Sequence, residues 1–300
     1  MIKRAHIRQF LAVVDAGSFT QAAARIRVTQ PALSSGIAEL ERLVGTPMFI
    51  RNRRQVRLTE AGGRFLPIAR DLERGFRVAD DFGRDSDRQA TELKLGVIRS
   101  VPGEFLQAIV AALRSGFAIE LVENSDSELR GALGNGRLNM ALVSLRAGEA
   151  GAHVVPLYEE PLAMFVAADH PLAGRVEVGP DELAAETMIA RRACEFLGAT
   201  SRFFTRHGVR PRFALRSESD ERCLQMVAAG IGITTAPVSL AIDGVVPIRV
   251  AGYDFARTLG LLIDPAWAAL PDVAPLLADR GDTIGAVAAE WRRARVDAAG

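Results

Sequence analysis

The chain has 300 residues, 49% of them hydrophobic and 24% charged. That composition belongs to a packed globular protein and excludes disordered, collagen-like and mucin-like architectures. The length suggests two or three domains. A formal net charge of +1 looks neutral, but residues 1–90 carry 16 Lys+Arg against 10 Asp+Glu, and the rest carries 21 against 26. A basic N-terminal third thus precedes a mildly acidic body, the pattern of a segment that meets a polyanion joined to one that does not. Cys194 and Cys223 lack CxxC spacing and are too few for a disulfide scaffold, which favours a reducing, cytoplasmic setting. The N-terminus has no apolar h-region, and no apolar run approaches the roughly 18–20 residues of a membrane span. Neither secretion nor membrane insertion is expected.

In chain order, Ile2, Ile7, Phe10, Leu11, Val13 and Val14 fall at helical spacing, and Gly17 stops that helix. Ser18 can cap a second helix carrying Phe19, Ala22, Ala23, Ala24 and Ile26. After a break at Arg27-Val28, Thr29 as N-cap with Pro31 in the first turn starts a third helix, Gln30–Val44, ending at Gly45. Phe49 to Leu58 alternates roughly, carries Arg51, Arg53, Arg54 and Arg57, and reads as a small two-stranded wing. Thr59 caps a long helix to Phe82. Leu58, Phe65, Leu72 and Ala79 form one seven-residue series, and Ala61, Ile68, Gly75 and Phe82 its companion. Together they make an a/d seam that suggests dimerisation, with Leu58, Phe65, Ile68, Leu72, Ala79 and Phe82 as its contacts. Pro67 should bend this helix locally. Gly83 to Ala90 is polar and reads as a hinge.

Beyond it, strands alternate with helices. Strands are expected at Leu93–Ile98, Ala118–Glu123, Asn139–Ser144 and Leu162–Ala167, with helices at Gly103–Arg114 and Ser127–Gly134. A second series follows at Met188–Ala190, Ser201–His207, Phe213–Arg216, Ser219–Ala229, Ile231–Ala236 and Val245–Val250. Thr258–Ile263 is a late strand and Val273–Arg295 is mostly helical. The pattern is α/β with two similar lobes.

Two short helices with a tight break between them match a helix-turn-helix, whose second helix enters the DNA major groove with its N-terminal residues on base edges. Thr29, Gln30, Pro31, Ser34 and Ser35 would form that face, with Thr20 on the preceding helix. Gln30 suits adenine, Pro31 a thymine methyl, and the serines bases or phosphates. Arg51, Arg53 and Arg54 on the wing would neutralise phosphate or enter the minor groove. The plain alternative is a helical bundle whose polar residues only face solvent.

The order is more specific than a bare pattern. Phe10-Leu11-Ala12-Val13-Val14-Asp15-Ala16-Gly17-Ser18-Phe19-Thr20-Gln21-Ala22-Ala23 is followed by Thr29-Gln30-Pro31-Ala32-Leu33-Ser34, then Ile37, Leu40-Glu41, Gly45, Phe49, Arg51, Arg54 and Leu58-Thr59-Glu60-Ala61-Gly62. This resembles the winged-helix domain of LysR-type transcriptional regulators. Leu93-Lys94-Leu95-Gly96 and Val227-Ala228-Ala229-Gly230-Ile231-Gly232-Ile233 with Pro237 extend the resemblance to essentially the full length. It implies an α+β multidomain protein. Residues 1–58 would be a winged helix-turn-helix, 59–90 a linker helix and hinge, and 91–300 a two-lobed, periplasmic-binding-protein-like effector domain. Lobe I would span about 91–162 plus 266–300 and lobe II about 163–265. The resemblance also implies a homotetramer built from dimers, an operator with an interrupted inverted repeat, contact with RNA polymerase, and control by a small molecule. Two departures stand out. Gly36 replaces a long polar side chain and so removes a possible DNA contact, and Asn139 replaces an Asp.

A two-lobed α/β body places a cleft at strand C-termini and helix N-termini, which favour anions. Arg99, Ser100, Val101 and Pro102 follow the first strand, Ser125 the second, and Ser144, Leu145 and Arg146 the third. Arg191, Arg192, Ala193 and Cys194 would form the opposite wall. Ser100 matches a position where the family often holds an effector carboxylate. The arginines suggest an anionic effector; each alone reads equally as a solvated loop residue. Cys194 could instead be a redox switch with Cys223 as its resolving partner, but inert thiols are the expectation, because reactivity needs a depressed pKa. His6, His153, His170 and His207 are scattered without metal-ligand spacing. No GxSxG, P-loop or helix-opening GxGxxG is present, so neither a cofactor nor enzymatic activity is expected. A solute-binding protein, or an enzyme using the cleft, are the rival readings.

Overall fold

The structure, a computed structural model, describes residues 1–51, 56–81 and 91–299. The chain falls into two compact units, Met1–Gln89 with Ser127–Asn139, and Ala90–Asp126 with Met140–Gly300. Among the described residues, no helix is long and apolar enough to cross a membrane.

The first unit opens with α1 (Arg4–Ala16), α2 (Phe19–Arg25) and α3 (Gln30–Val44). A two-stranded wing follows, β1 (Phe49–Arg51) antiparallel to β2 (Val56–Leu58), with Phe49 opposite Leu58. The Thr29 hydroxyl accepts the Ala32 N–H at 3.3 Å, as its N-cap position requires. Ser18 also holds an N-cap position, but its side chain makes no capping hydrogen bond. The apolar stripes of the three helices converge on one core, in which the Phe10 ring lies 5.2 Å from those of Phe49 and Phe65.

Helix α4 (Glu60–Asp81) starts where the Thr59 hydroxyl accepts the Gly62 N–H at 3.0 Å and donates to the Pro47 carbonyl at 2.7 Å. Gly62 is required by close approach, since a Cβ there would sit 2.2 Å from the Met48 carbonyl oxygen. The helix runs through Pro67. Its expected seam divides in two. Leu58 and Phe65 pack against the unit's own core, because the first turns of α4 complete that core. Ile68 and Leu72 are 54% and 43% exposed, Ala79 is exposed, and Phe82 lies outside the described residues. Phe76, one helical turn beyond Leu72 and also exposed, extends the stripe; the seven-residue count passed over it for Gly75.

The second unit is built on a mixed sheet. β3 (Thr91–Ile98) lies parallel to β4 (Phe117–Asn124) and to β5 (Met140–Leu145). Helix α5 (Gly103–Leu113) connects β3 to β4; α6 (Asp126–Gly134), which follows β4 in sequence, belongs from Ser127 on to the first unit. β6 (Val154–Ala167) is long enough to serve two neighbourhoods. Its first half pairs antiparallel with β12 (Ala256–Ile263). Its second half pairs with β10 (Thr234–Pro237) and β11 (Val245–Val250). The short β7 (Glu177–Val178) closes that edge against β11. β12 also pairs antiparallel with β5 from Thr258 to Ile263. Beside this sheet, β8 (Thr187–Arg191) and β9 (Arg212–Ser217) form a parallel pair with α7 (Leu197–Arg206) between them in sequence; α8 (Asp220–Ala228) follows. After α9 (Pro265–Ala268), α10 (Ala274–Trp291) packs on α5, and the Phe105 and Trp291 rings lie 5.5 Å apart.

Candidate functional site

Helix α3 separates its two faces sharply. Leu33, Ile37 and Leu40 are 0% exposed, while Thr29, Gln30, Pro31 and Ser35 are exposed and Ser34 is half-buried. Thr20, on α2, is exposed as well. The Gln30 amide donates to the Ser34 hydroxyl at 2.9 Å, one turn on. The structure therefore brings the predicted base-reading residues together at the N-terminal end of one helix. A Cβ at Gly36 would meet the amide end of the flexible Gln9 side chain of α1 at 1.8 Å, which would have to move aside. Of the wing arginines, Arg51 ends β1, and Arg53 and Arg54 lie outside the described residues.

In the second unit the expected arginines are partnered. Arg99 donates to Glu218 at 3.0 Å and lies 3.7 Å from Glu123, and Arg146 donates to Asp126 at 2.9 Å. Arg191 is buried and bidentate on Asp220, with a third bond of 3.2 Å to the Thr235 carbonyl. Burial opposes the Arg191 charge, but the Asp220 carboxylate more than restores it and holds the guanidinium above its ordinary range. Arg192 is exposed. Val101 and Pro102 are buried in the turn after β3, where the Val101 N–H meets the Ile98 carbonyl at 3.2 Å. Ser125 is exposed, whereas Ser144, Leu145 and Ala193 are half-buried.

Ser100 sits in a second buried polar cluster, with partners the sequence did not single out. Its hydroxyl donates to Glu195 Oε1 at 2.6 Å and accepts from Arg257 Nη1 at 2.8 Å. Arg257 Nη1 also reaches Glu195 Oε1 at 3.0 Å, and its Nη2 donates to the Ser100 carbonyl at 3.0 Å. Nε donates to Glu160 at 2.9 Å, and the second oxygen of Glu160 accepts the Ser239 N–H at 2.9 Å. Arg257 and Glu160 are both 0% exposed. Burial alone would raise the Glu195 pKa, but Arg257 and the Ser100 hydroxyl hold it below the ordinary carboxylate range. One signal for this cluster was available: charged residues inside the apolar runs 158–167 and 255–263 must be paired if those runs are buried.

A cavity of about 290 Å³ lies against β8, β9 and α7. Met188, Leu197, Phe204, Val209 and Phe213 give it an apolar wall, and Thr200, Ser201 and Thr235 supply hydroxyls. Of the expected effector residues, Arg191 and Cys194 line it. Both cysteines are free. Burial raises the Cys194 thiol pKa and pushes that of Cys223 up to about 11, the direction opposite to thiolate activation.

The chain matches a LysR substrate binding domain over residues 86–278 and a bacterial regulatory helix-turn-helix protein of the lysR family over residues 5–63. It is 30% identical over 244 residues to a probable hydrogen peroxide-inducible genes activator of Mycobacterium avium, covering 78% of each chain. It is also 30% identical over 275 residues to the HTH-type transcriptional regulator TtuA of Agrobacterium vitis, covering 87% of this chain and 90% of the relative. The fold is shared with HinK, a LysR family transcriptional regulator from Pseudomonas aeruginosa, at a TM-score of 0.53 and 22% identity, over 96% of this chain and all of the other. With both family models matched and together spanning most of the sequence, the chain belongs to the LysR family and is a DNA-binding transcriptional regulator with an effector-binding domain.

Proposed function

We propose that the N-terminal end of α3 reads the operator through Thr29, Gln30, Pro31, Ser34 and Ser35, that Thr20 assists, and that Arg51, Arg53 and Arg54 hold the DNA backbone. The observation that carries this reading is the split of α3 into a fully buried apolar face and an exposed polar N-terminus. The exposed stripe Ile68, Leu72, Phe76 and Ala79 supports pairing of α4 with a second copy, in a homodimer and then a homotetramer on an interrupted inverted repeat. The body would sense a small anionic molecule, and its binding would shift the balance between assemblies that contact RNA polymerase differently. The protein would act in the cytoplasm and without catalysis.

A gel-shift against the chain's own upstream DNA tests this. Sequence-selective, salt-sensitive binding is expected, and its absence there and at every promoter tried overturns the reading. A second reading, redox sensing through Cys194, draws on the peroxide-activator relative and on the place of Cys194 in the cavity wall. The raised thiol pKa values favour the first.

A further inference from the structure

We propose that Glu195 is a tethered carboxylate occupying the chain's own anion receptor, so that a carboxylate ligand binds by displacing it. The inference rests on the reading of the body as an effector sensor and adds to it the chemistry of the site. Ser100 and Arg257 together form a carboxylate receptor, because a hydroxyl and a guanidinium N–H converge on the single oxygen Glu195 Oε1.

Two carboxylates share Arg257, and they are held unequally. Glu160 is fully buried on β6, takes the guanidinium through Nε and is fixed a second time by the Ser239 N–H. Glu195 sits in the segment between β8 and α7, its side chain is 15% exposed, and its buried Oε2 has no hydrogen-bond partner among the described residues. Glu195 is therefore the exchangeable member. An incoming carboxylate would accept the same two donors, leaving the cluster's charge unchanged while Glu195 moves to water.

The exchange also has a mechanical consequence. Ser100 follows β3 of the first lobe and Glu195 follows β8 of the second, so their bond is a latch across the cleft. The segment that carries Glu195 also carries Cys194 and leads directly into Leu197 of α7, and both of these line the cavity. Filling the cavity and releasing the latch thus move the same short stretch of backbone. While the latch is closed, the apparent affinity for any carboxylate is reduced by the fraction of molecules with the receptor open.

The test uses the full chain with benzoate and succinate as probes and benzyl alcohol as the neutral control, titrated by calorimetry. Glu195→Ala is expected to bind at least one acid about tenfold more tightly than the native chain. Adding Ser100→Ala should remove the gain, and benzyl alcohol should show none. Glu195→Gln keeps the shape and loses the charge. It should give a smaller gain, and it carries the test if the alanine variant does not fold. No gain for either acid, a gain that survives Ser100→Ala, or an equal gain for benzyl alcohol overturns the proposal. A Glu195 variant that still binds the operator but shows no gain overturns the latch and leaves the regulator reading standing. Absence of operator binding by the native chain overturns the reading beneath it.

Discussion

The two regions of this chain keep their polar residues in opposite ways. On α3 the polar side chains stand exposed at a helix end, and the apolar residues beneath them do the packing. In the effector body the charged side chains that matter are buried and tied to partners 29 to 157 residues away in sequence, as with Arg191–Asp220 and Arg257–Ser100. A DNA-binding face must be open to its ligand at all times, so it costs little folding energy. A buried polar cluster sits in low dielectric, where each member depends on the others.

That contrast predicts the largest effect. Arg257→Met leaves Glu160 buried without its counter-ion and should destabilise the body by about 3–5 kcal/mol, read from urea unfolding. A loss below about 1 kcal/mol, the scale of an exposed pair, would show that the cluster is not held as the geometry indicates. In the N-terminal unit the comparable weak point is packing. Gly62→Ala places a methyl group 2.2 Å from the Met48 carbonyl oxygen, where backbone must give way. We expect a loss of about 1–3 kcal/mol in that unit, seen as operator binding that fails at a lower temperature while the melting of the body is unchanged. An unaltered temperature limit for binding would mean that the start of α4 yields without cost.

The same contrast governs what the sequence could tell. Helix α3 was legible from end to end, because Thr29, Pro31 and Gly45 act locally and Leu33, Ile37 and Leu40 repeat at helical spacing. The first half of β6 was not: the expected strand begins only at Leu162, because Pro156, Pro161, Glu159 and Glu160 break the apolar pattern before it. Those residues are strand because β12 pairs with them from about a hundred positions away. Glu160, Glu195, Asp220 and Arg257 stayed hidden for the same reason: their meaning lies in partners that only tertiary structure supplies. Family resemblance located Ser100 but left out what already binds it.

A smaller effect, of specificity, should separate the two kinds of DNA contact. Gln30→Ala is expected to lose about 1–3 kcal/mol of discrimination at one base pair, while affinity for random DNA changes little. Arg51→Ala should weaken specific and random binding alike and lower the salt slope by about 1. If both variants lost the same affinity on both kinds of DNA, Gln30 would be positioning the helix through Ser34 and not reading a base.

The smallest effect is expected at Cys194, and it bears on how the body is switched. A thiol becomes a peroxide sensor when its surroundings favour the thiolate. Burial works against the Cys194 thiolate, Arg191 opposes that effect, and the Glu195 carboxylate adds to it; the net shift is upward. Arg191 is also the cation best placed to help, and it is already committed to Asp220. Cys223 is fully buried in α8 with a pKa pushed up to about 11, which leaves it a poor resolving thiol. Micromolar peroxide should therefore leave operator binding unchanged, and Cys194→Ser should behave as the native chain does with and without it. A peroxide-dependent change in the gel-shift that Cys194→Ser abolishes would reverse this conclusion. It would show that Cys194 reacts despite its burial and the carboxylate of Glu195 beside it.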